Sequence, residues 1–537
     1  MRRLWYHGKV DTMVPGQPRQ EAVGIENGII VFVGSDRDAL ALPWDEKHDL
    51  NGRQVLPGFN DTHMHLLLYA LFRDSLPLTG VSSIRDIIAQ GRARLAETGA
   101  PYLLGMGWNQ ETLSEGRMPT RADLDQISRE VPVCLLRCCA HVAACNTPML
   151  ERLKTLTGVE AQVLDQVDFD QGLLREEAMR LYMQVVPPLS DGQVKDLIRK
   201  GQADANAKGL TCVHSDDLQV LPGMDPIRLT KLFREMERDG ELTLRIYEQC
   251  LLSSENFERF LPHRSPMDDR TSLFRTGPRK LLQDGSLGAR TALLRDGYQG
   301  DPSWKGVAVH SPQELEELIG AAHRARMDVA VHTIGDRALE QLCQAVEHLQ
   351  ALDPWPQARH GAVHAQITDP ALLERMKALG LQAYIQPIFI EADMGIITQR
   401  VGEARARNCY NWRSMLELGL AVSGGSDCPV EPFDVLDNLR AAVTRRDRAG
   451  ERVYLPEQAL SLEEGLSLFT SRAAWCSRDE KVRGQLRPGM QGDLVILEGD
   501  LSAVPPQELP KVSIAETVLG GKTVFSILSD RKAQKRT

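Results

Sequence analysis

Residues 56–66 read LPGFNDTHMHL, a short apolar run followed by a Pro-Gly turn signal and by His63 and His65, which are separated by one residue. On a strand this spacing puts both side chains on the same face, so two imidazoles can converge on one metal ion. Taken alone, two histidines beside a turn are more simply explained as surface residues. The interpretation therefore depends on what the rest of the chain brings to this strand end.

The composition predicts a globular protein with a sizeable core: of 537 residues, 42% are hydrophobic and 25% are charged. The net charge of -10 argues against nucleic acid or an anionic membrane surface as the main partner, since both require concentrated Lys and Arg. We expect a small-molecule substrate as the partner, and a homo-oligomer is left open.

The ten cysteines are few and irregularly placed, which argues against a disulfide framework and for a reducing compartment. The sequence shows no export signal and no apolar run long enough for a membrane span. From these observations we expect a cytoplasmic protein.

Both ends of the chain have the pattern of short strands joined by tight turns. In AVGIENGIIVFVGSD, the Asn27-Gly28 pair is a hairpin signal between two apolar segments. Near the other end, Gly520-Gly521 stands between VSIAETVL and KTVFSI in the same way. Because chain termini usually lie close together, we expect the two ends to pair into one β domain.

The centre of the chain alternates apolar, strand-like runs with longer helical patterns, which indicates βα units and a parallel sheet. Eight such runs are the number that closes a (β/α)₈ TIM barrel, an α/β fold. The candidate strands lie near residues 55–59, 209–215, 242–249, 279–285, 328–335, 358–365, 381–387 and 420–427. The roughly 140 residues between the first two strands exceed what a crossover helix requires, so an inserted subdomain is expected at residues 66–208.

Polar residues fall at the ends of these candidate strands, where a parallel barrel carries its catalytic groups. For each one separately, a hydrogen-bonded core histidine or a turn-forming aspartate is the simpler interpretation. Together they have the chemistry of a metal site, with one added lysine. The set comprises His63 and His65 after the first strand, Lys280 and Asp284 on the fourth, His332 on the fifth, His364 on the sixth and Asp427 after the Gly-rich end of the eighth.

These segments resemble the successive signatures of the metal-dependent amidohydrolase superfamily, and more narrowly its amidohydrolase-3 group. The resemblance runs in order from about residue 20 to 525. The segments that carry it are LPGFNDTHMH, KLLQDGSLGARTALL, VAVHTIGDRAL, RHGAVHAQ, the Gln386-Pro387 pair, GSDCPVEP and GQLRPGMQGDLVIL.

The resemblance implies a hydrolase TIM barrel over residues 56–482 and a composite β-sandwich built from residues 1–55 and 483–537. It also implies that a divalent ion is held by His63, His65, His332 and His364, with Asp427 beside the metal. Asp427 is then the expected catalytic general base, which takes the proton of the attacking water and passes it to the leaving amine.

Lys280 matches the family's lysine on the fourth strand, which bridges two divalent ions once CO₂ has carboxylated it. A carbamate turns a cationic side chain into an anionic oxygen donor, whereas a protonated lysine cannot ligate and is repelled by metal ions. The alternative is an ordinary lysine paired with Asp284 or another acid. We expect one or two divalent ions, zinc first, although the donor set also suits iron or manganese.

One segment departs from the family pattern. Relatives commonly read RHRIEHAQ on the sixth strand, whereas this chain has RHGAVHAQ, with Gly361 and Val363 at the Arg and Glu positions. The ligand His364 is kept. The substitution raises the question of what orients its ring.

Four further residues are candidates for substrate binding. His214 ends the second strand, and Arg290 in LGARTALL could hold a substrate carboxylate. In the insertion, Trp108 and His141 could line a cover over the substrate. Core packing explains His214 and Trp108 nearly as well, and helix-start structure explains Arg290 nearly as well.

The leading hypothesis is a metal-dependent hydrolase of C–N bonds other than peptide bonds, which attacks an amide, N-acyl or formamide-like substrate with a metal-activated water. A mononuclear heterocycle deaminase of the same superfamily is the nearest alternative, because such relatives need the histidines and the aspartate but not Lys280. A non-catalytic regulatory relative is the third hypothesis, although such a protein has no physical need for a full ligand set.

Overall fold

The computed structural model describes residues 1–73 and 75–528, without the side chain of residue 180. At its centre lies one eight-stranded sheet in which each strand is parallel to its neighbours in chain order. This sheet confirms the predicted α/β barrel. Its strands are β1 (Phe59–Met64), β2 (Leu210–Ser215), β3 (Arg245–Leu251), β4 (Phe274–Leu282), β5 (Val329–Thr333), β6 (Gly361–His364), β7 (Gln382–Ile385) and β8 (Ala421–Gly424).

Helices connect successive strands, as the right-handed crossover of a parallel sheet requires. Their apolar faces cover the outside of the sheet and form one continuous core with it. The main barrel helices are Leu66–Arg73, Asp191–Ala207, Pro226–Arg238, Ser254–Phe260, Pro312–Arg324, Asp336–Leu352, Pro370–Ala378, Ile397–Ala406, Trp412–Glu417, Val435–Thr444, Leu462–Leu468 and Ser471–Cys476.

Backbone hydrogen bonds just beyond β8 close the barrel against β1. The N–H of Asp427 donates to the carbonyl of His63 at 2.7 Å, and the N–H of His65 donates to the carbonyl of Cys428 at 2.7 Å. Gly425 permits this approach, because a Cβ there would lie 2.6 Å from the backbone nitrogen of His63. The residues that close the barrel are thus the neighbours of the predicted ligands.

The predicted first strand, VLPGF near 55–59, is wrong as a barrel strand. Gln54–Pro57 pairs antiparallel with Leu494–Leu497 in a different sheet, and the barrel strand begins at Phe59. The chain crosses between the sheets at Gly58, where a Cβ would lie 2.3 Å from Thr211. The residues on both sides of Gly58 are buried and mostly apolar, so the sequence pattern does not show where one strand ends and the next begins.

The two chain ends form the composite β-sandwich. Its inner faces pack Trp5, Ile25, Ile496 and Val518 into one apolar cluster. One sheet contains Arg2–Tyr6, Ala22–Glu26, Ile29–Gly34 and Glu46–Asp49, and the other contains Lys9–Val10, Gln54–Pro57, Leu494–Leu497, Ile514–Leu519 and Lys522–Ser526. The last nine residues, 529–537, of the predicted sandwich segment lie outside the described residues.

Both predicted hairpins are present in the sandwich. Asn27 and Gly28 have φ of 50° and 86° and join two antiparallel strands. Gly520 and Gly521 have φ of 54° and 73° and do the same at the other end of the chain. Positive φ at both central residues is the geometry of the two-residue turn that suits twisted strands.

The insertion after β1 has a six-stranded sheet with its own apolar core. Helices Leu66–Arg73 and Asp191–Ala207, at its two ends, pack against each other beside the barrel. The strands are Leu76–Pro77, Leu103–Trp108, Val133–Arg137, Val142–Cys145, Val167–Asp168 and Leu173–Arg175. The insertion helices are Ile84–Thr98, Arg121–Leu124, Thr147–Lys154, Ala161–Leu164 and Tyr182–Val185. In the part of the chain that is described, no helix has the length and apolar character that crossing a membrane requires.

The amino-terminal end of the barrel is closed by a segment that follows the last barrel helix. Asp479 is 1% exposed and binds the guanidinium groups of Arg275 on β4 and of Arg483. Burial opposes ionisation of Asp479, but the two arginines outweigh it and hold its pKa below the usual range. One buried carboxylate therefore ties this segment to the sheet.

We predict that Asp479→Asn lowers the free energy of unfolding by about 3–5 kcal/mol, because it leaves two buried guanidinium groups without their counter-charge. The measurement is the midpoint of thermal or urea unfolding. Glu508→Gln, which breaks the exposed pair with Lys511, is the control and should change stability by less than about 0.5 kcal/mol. Equal effects of the two substitutions would contradict the prediction.

Candidate metal centre

Three predicted ligands meet at the seam between β1 and β8. The Nε2 atoms of His63 and His65 lie 3.2 Å and 2.9 Å from the same oxygen, Oδ1 of Asp427. One donor atom from each residue falls within 4.8 Å of the others, so the three can share one cation. The period-two spacing of the histidines and the barrel closure together produce this arrangement.

The fifth and sixth strands add two imidazoles whose nitrogen atoms face each other. Nε2 of His364 lies 3.0 Å from Nδ1 of His332 and 4.0 Å from Oδ2 of Asp427. Burial lowers the pKa of His364 to about 3 and that of His332 well below its usual value. Both rings are therefore neutral, which is the form that binds a metal.

Hydrogen bonds to the opposite ring nitrogens fix which atom of each imidazole carries the lone pair. Nδ1 of His364 lies 2.7 Å from Oε1 of Gln386, and the amide nitrogen of Gln386 donates to the carbonyl of Tyr384. Nε2 of His332 lies 3.3 Å from the carbonyl of Gly285. Both partners are acceptors, so each ring directs a lone pair, not a proton, at the other. Two lone pairs 3.0 Å apart repel each other unless a cation joins them.

His63 is oriented in the same way. Its Nδ1 lies 2.8 Å from Oε1 of Gln249, whose amide nitrogen donates to the carbonyl of Thr62. The lone pair on Nε2 therefore points at the centre. Sequence reasoning gave neither Gln249 nor Gln386 this role, although Gln386 stood in a motif that carried the family resemblance.

Lys280 is buried beside these histidines, 1% exposed. Its Nζ lies 3.5 Å from Nε2 of His63 and 3.2 Å from Oδ2 of Asp216. The other carboxylate oxygen of Asp216, Oδ1, contacts Nδ1 of His65. Burial opposes ionisation of Asp216, but the charges of His65 and Lys280 outweigh it and lower its pKa to about 2. Sequence reasoning missed Asp216, although it directly follows β2 and so had the signal that identified Asp427.

Asp284 does not pair with Lys280. Its carboxylate accepts hydrogen bonds from the N–H groups of Leu293, Ile334 and Gly335 at 2.9, 3.0 and 2.7 Å. Asp284 therefore holds the loop after β4 against the loop after β5. The pairing of Lys280 with Asp284, one of the alternatives considered for the lysine, is therefore not formed.

Among the substrate-binding candidates, His141 reaches the centre from the insertion. Its ring centroid lies 5.0 Å from that of His332, and its Nδ1 lies 2.6 Å from Oε2 of Glu176. Glu176 lies against Gly285, where a Cβ would come within 2.2 Å of its other oxygen. The insertion thus adds a hydrogen-bonded His–Glu pair that sequence reasoning found only in part.

The other three candidates lie in different surroundings. Trp108 is fully buried in the core of the insertion and donates to the carbonyl of Leu135. His214 points into the barrel, where its ring centroid lies 5.0 Å from that of Tyr247. Arg290 lies over Tyr298 at a half-exposed position. Within residues 1–73 and 75–528, none of the three hydrogen-bonds or ion-pairs with the histidine cluster, and their role in binding stays a prediction.

The departure on the sixth strand has a local structural explanation. Val363 packs in an apolar cluster with Ala330 and Tyr384. At Gly361 a Cβ would lie 2.5 Å from the ring of Tyr384, so this ring occupies the space of a longer side chain. The orientation of His364 comes from Gln386 and does not require a carboxylate at position 363.

Two of the candidate ligands have a left-handed backbone. The φ angle is 74° at His364 and 59° at Asp427. Such conformations are costly for residues other than glycine and persist where the surrounding structure over-determines them, most often at functional sites. The backbone geometry thus agrees with a site in which side-chain direction matters.

Known proteins with a similar sequence or structure share this architecture. A model described as "Amidohydrolase family" matches residues 46–525. The chain is 31% identical to "Putative amidohydrolase YtcJ" of Bacillus subtilis over 98% of this chain and 99% of that protein. It is 24% identical to an N-substituted formamide deformylase of Arthrobacter pascens over 93% and 94% of the two chains. A solved structure described as an uncharacterized metal-dependent hydrolase from Pyrococcus furiosus has a TM-score of 0.73 and 30% identity, and covers 93% of this chain and 99% of its own.

We predict that Gln386→Leu weakens metal binding about 10- to 100-fold, because His364 loses the partner that fixes its ring. The measurement is bound metal after dialysis against a graded chelator. The exposed Gln357→Leu serves as the matched control and should bind metal like the parent chain. Unchanged metal retention in Gln386→Leu would show that this hydrogen bond does not support the site.

Proposed function

The chain belongs to the amidohydrolase family, and on that premise we propose that it is a metal-dependent hydrolase of C–N bonds other than peptide bonds. Its substrate in this proposal is an N-acyl or formamide-like small molecule. The observation that carries the proposal is the convergence of histidine nitrogens and a carboxylate at the carboxyl ends of the barrel strands.

The donor set fits a divalent ion. His63, His65, His332, His364 and Asp427 would hold it, and imidazole with carboxylate is chemistry that suits zinc. A bound divalent ion supplies Lewis acidity, which polarises a carbonyl and acidifies water.

Lys280 supports a centre with two ions. Its amine can add to CO₂ and release a proton, which gives an anionic carbamate whose oxygens are metal donors. The amine is buried 3.5 Å from Nε2 of His63, so a carbamate there would extend toward the same cluster. The ion pair with Asp216 is the unmodified alternative.

Asp427 is proposed as the residue that moves the proton. Its Oδ1 contacts both His63 and His65, whereas Oδ2 has His364 as its nearest ionic neighbour at 4.0 Å. One oxygen is thus engaged with the histidines, and the other forms no hydrogen bond with the described residues. An ionised carboxylate placed there can accept a proton from the attacking water and pass it to the leaving nitrogen.

His141 is proposed as a contact to the substrate from the insertion. Glu176 holds its Nδ1, so Nε2 is the ring atom left to interact with a ligand above His332. The relative named as an N-substituted formamide deformylase supports formamides as the first substrates to assay.

We predict that the metal-loaded protein releases formate from N-substituted formamides or a carboxylate from N-acyl amines, and releases no ammonia from amino-heterocycles. Product analysis on the two substrate panels checks this. Ammonia from the heterocycles would favour the deaminase, and no turnover on either panel by a fully loaded protein would favour a regulatory relative.

We predict that Lys280→Ala lowers the metal content from two ions to one per chain and reduces activity at least 100-fold, because the bridging donor is lost. We also predict that Asp427→Asn reduces kcat by about 100-fold or more, the scale of general acid–base catalysis. Metal analysis and kinetics on both variants are the measurements. One ion per parent chain, together with unchanged activity of Lys280→Ala, would support the deaminase. Full activity of Asp427→Asn at unchanged metal content would remove the role of Asp427 as base.

A further inference from the structure

A polar cavity lies at the opposite end of the barrel from the histidines. It has a volume of about 50 Å³ and is lined by the amino-terminal part of β4, the loop before β5 and the segment after the last barrel helix. Five arginines and a single carboxylate, Asp328, are among its lining residues. The arginines are Arg264, Arg270, Arg275, Arg326 and Arg478.

The carboxylates around this cavity are too few to neutralise it. Asp479 is shared by Arg270, Arg275 and Arg483, at 3.8 Å in the case of Arg270. Asp353 pairs with Arg326, and Asp328 pairs with Arg478. Six guanidinium groups thus meet three carboxylates in a chain whose net charge is -10. The nearby Asp269, which hydrogen-bonds to the N–H groups of its own loop, adds a fourth carboxylate and leaves the guanidinium groups in excess.

Two lining groups have hydrogen-bonding capacity that the protein does not use. Among the described residues Arg264 forms no ion pair, and its guanidinium donates only to the carbonyl of Ala325. Tyr247 is 8% exposed, and its hydroxyl has no hydrogen-bond partner in the described part of the chain. A hydroxyl without a partner in the protein is free to donate a hydrogen bond to a ligand in the cavity.

We propose that this cavity binds a phosphate group, either as inorganic phosphate or as part of a small phosphorylated molecule. Guanidinium groups recognise tetrahedral oxyanions through paired, charge-assisted hydrogen bonds, and a phenol supplies a further donor. The excess of positive charge sets the sign of the ligand. The buried position of Tyr247 favours a small group over an extended polyanion.

This site is independent of the proposed hydrolysis. The histidine cluster lies at the carboxyl ends of the strands, whereas Arg275 and Tyr247 stand in the amino-terminal halves of β4 and β3. His214 stands above Tyr247 inside the barrel, with Nε2 3.5 Å from the amide nitrogen of Asn60. A bound anion would therefore contact the polar barrel interior and not the catalytic groups.

Isothermal titration calorimetry on the metal-loaded protein tests the proposal, with inorganic phosphate and glycerol 3-phosphate as probes and sodium chloride holding the ionic strength constant. We expect saturable one-site binding, at least tenfold weaker in Arg264→Gln and severalfold weaker in Tyr247→Phe, which removes only the hydroxyl. The probe that binds more tightly shows whether the site prefers inorganic phosphate or a phosphorylated small molecule.

Arg259→Gln removes an exposed arginine of helix Ser254–Phe260 and is the charge-matched control, expected to bind like the parent chain. No saturable binding of either probe to the parent chain would overturn the proposal. Equal binding by Arg264→Gln, Tyr247→Phe and the control would also overturn it, because the anion would then bind elsewhere, such as at the metal centre.

Discussion

The closure of the barrel between β8 and β1 is the constraint on which the centre depends. The chain after β8 hydrogen-bonds to β1 through its backbone, and this brings Asp427 within 3.2 Å of His63 and 2.9 Å of His65. The side chain of Asp61 assists by accepting from the N–H of Ser426 at 3.1 Å. A looser seam would separate the ligands that come from the two ends of the sheet, however well each one were oriented on its own strand.

Around that seam, amide side chains decide where the lone pairs point. Gln249 and Gln386 each accept from Nδ1 of a histidine and donate to a backbone carbonyl of the barrel, so Nε2 is directed inward at both His63 and His364. This arrangement concentrates acceptors in one place, which is unfavourable without a cation and favourable with one. Neutral partners suit this task because they leave the charge of the centre unchanged.

The sequence was sufficient for the class of fold, and it identified strand-end residues that the structure brings together, because a parallel barrel displays its polar residues at one end of each strand. It failed at the first strand, where one apolar run belongs to the sandwich and the next to the barrel. It could not place Trp108, because a strand-end tryptophan has the same local pattern whether it faces a substrate or a core, and a role of Trp108 in substrate binding stays a prediction. Glu176 was missed because its contact with His141 joins elements that are separated in the chain, whereas Asp216 carried the same strand-end signal as Asp427 and was overlooked.

The two ends of the barrel carry opposite chemistry. The carboxyl end gathers lone pairs and carboxylates that attract a cation, and the amino end gathers guanidinium groups around Asp479. Polar side chains such as His214 and Asn60 fill the space between them. The insertion adds His141 over the carboxyl end, so the proposed substrate would be held between two subdomains.

The most direct measurement is a crystal structure of zinc-loaded protein with anomalous diffraction collected on both sides of the zinc edge. We predict an anomalous peak within ligand distance of His63, His65, His332, His364 and Asp427. We also predict a second peak close to it and the extra density of a carbamate on Nζ of Lys280. An empty histidine cluster in a crystal that holds zinc elsewhere would contradict these predictions.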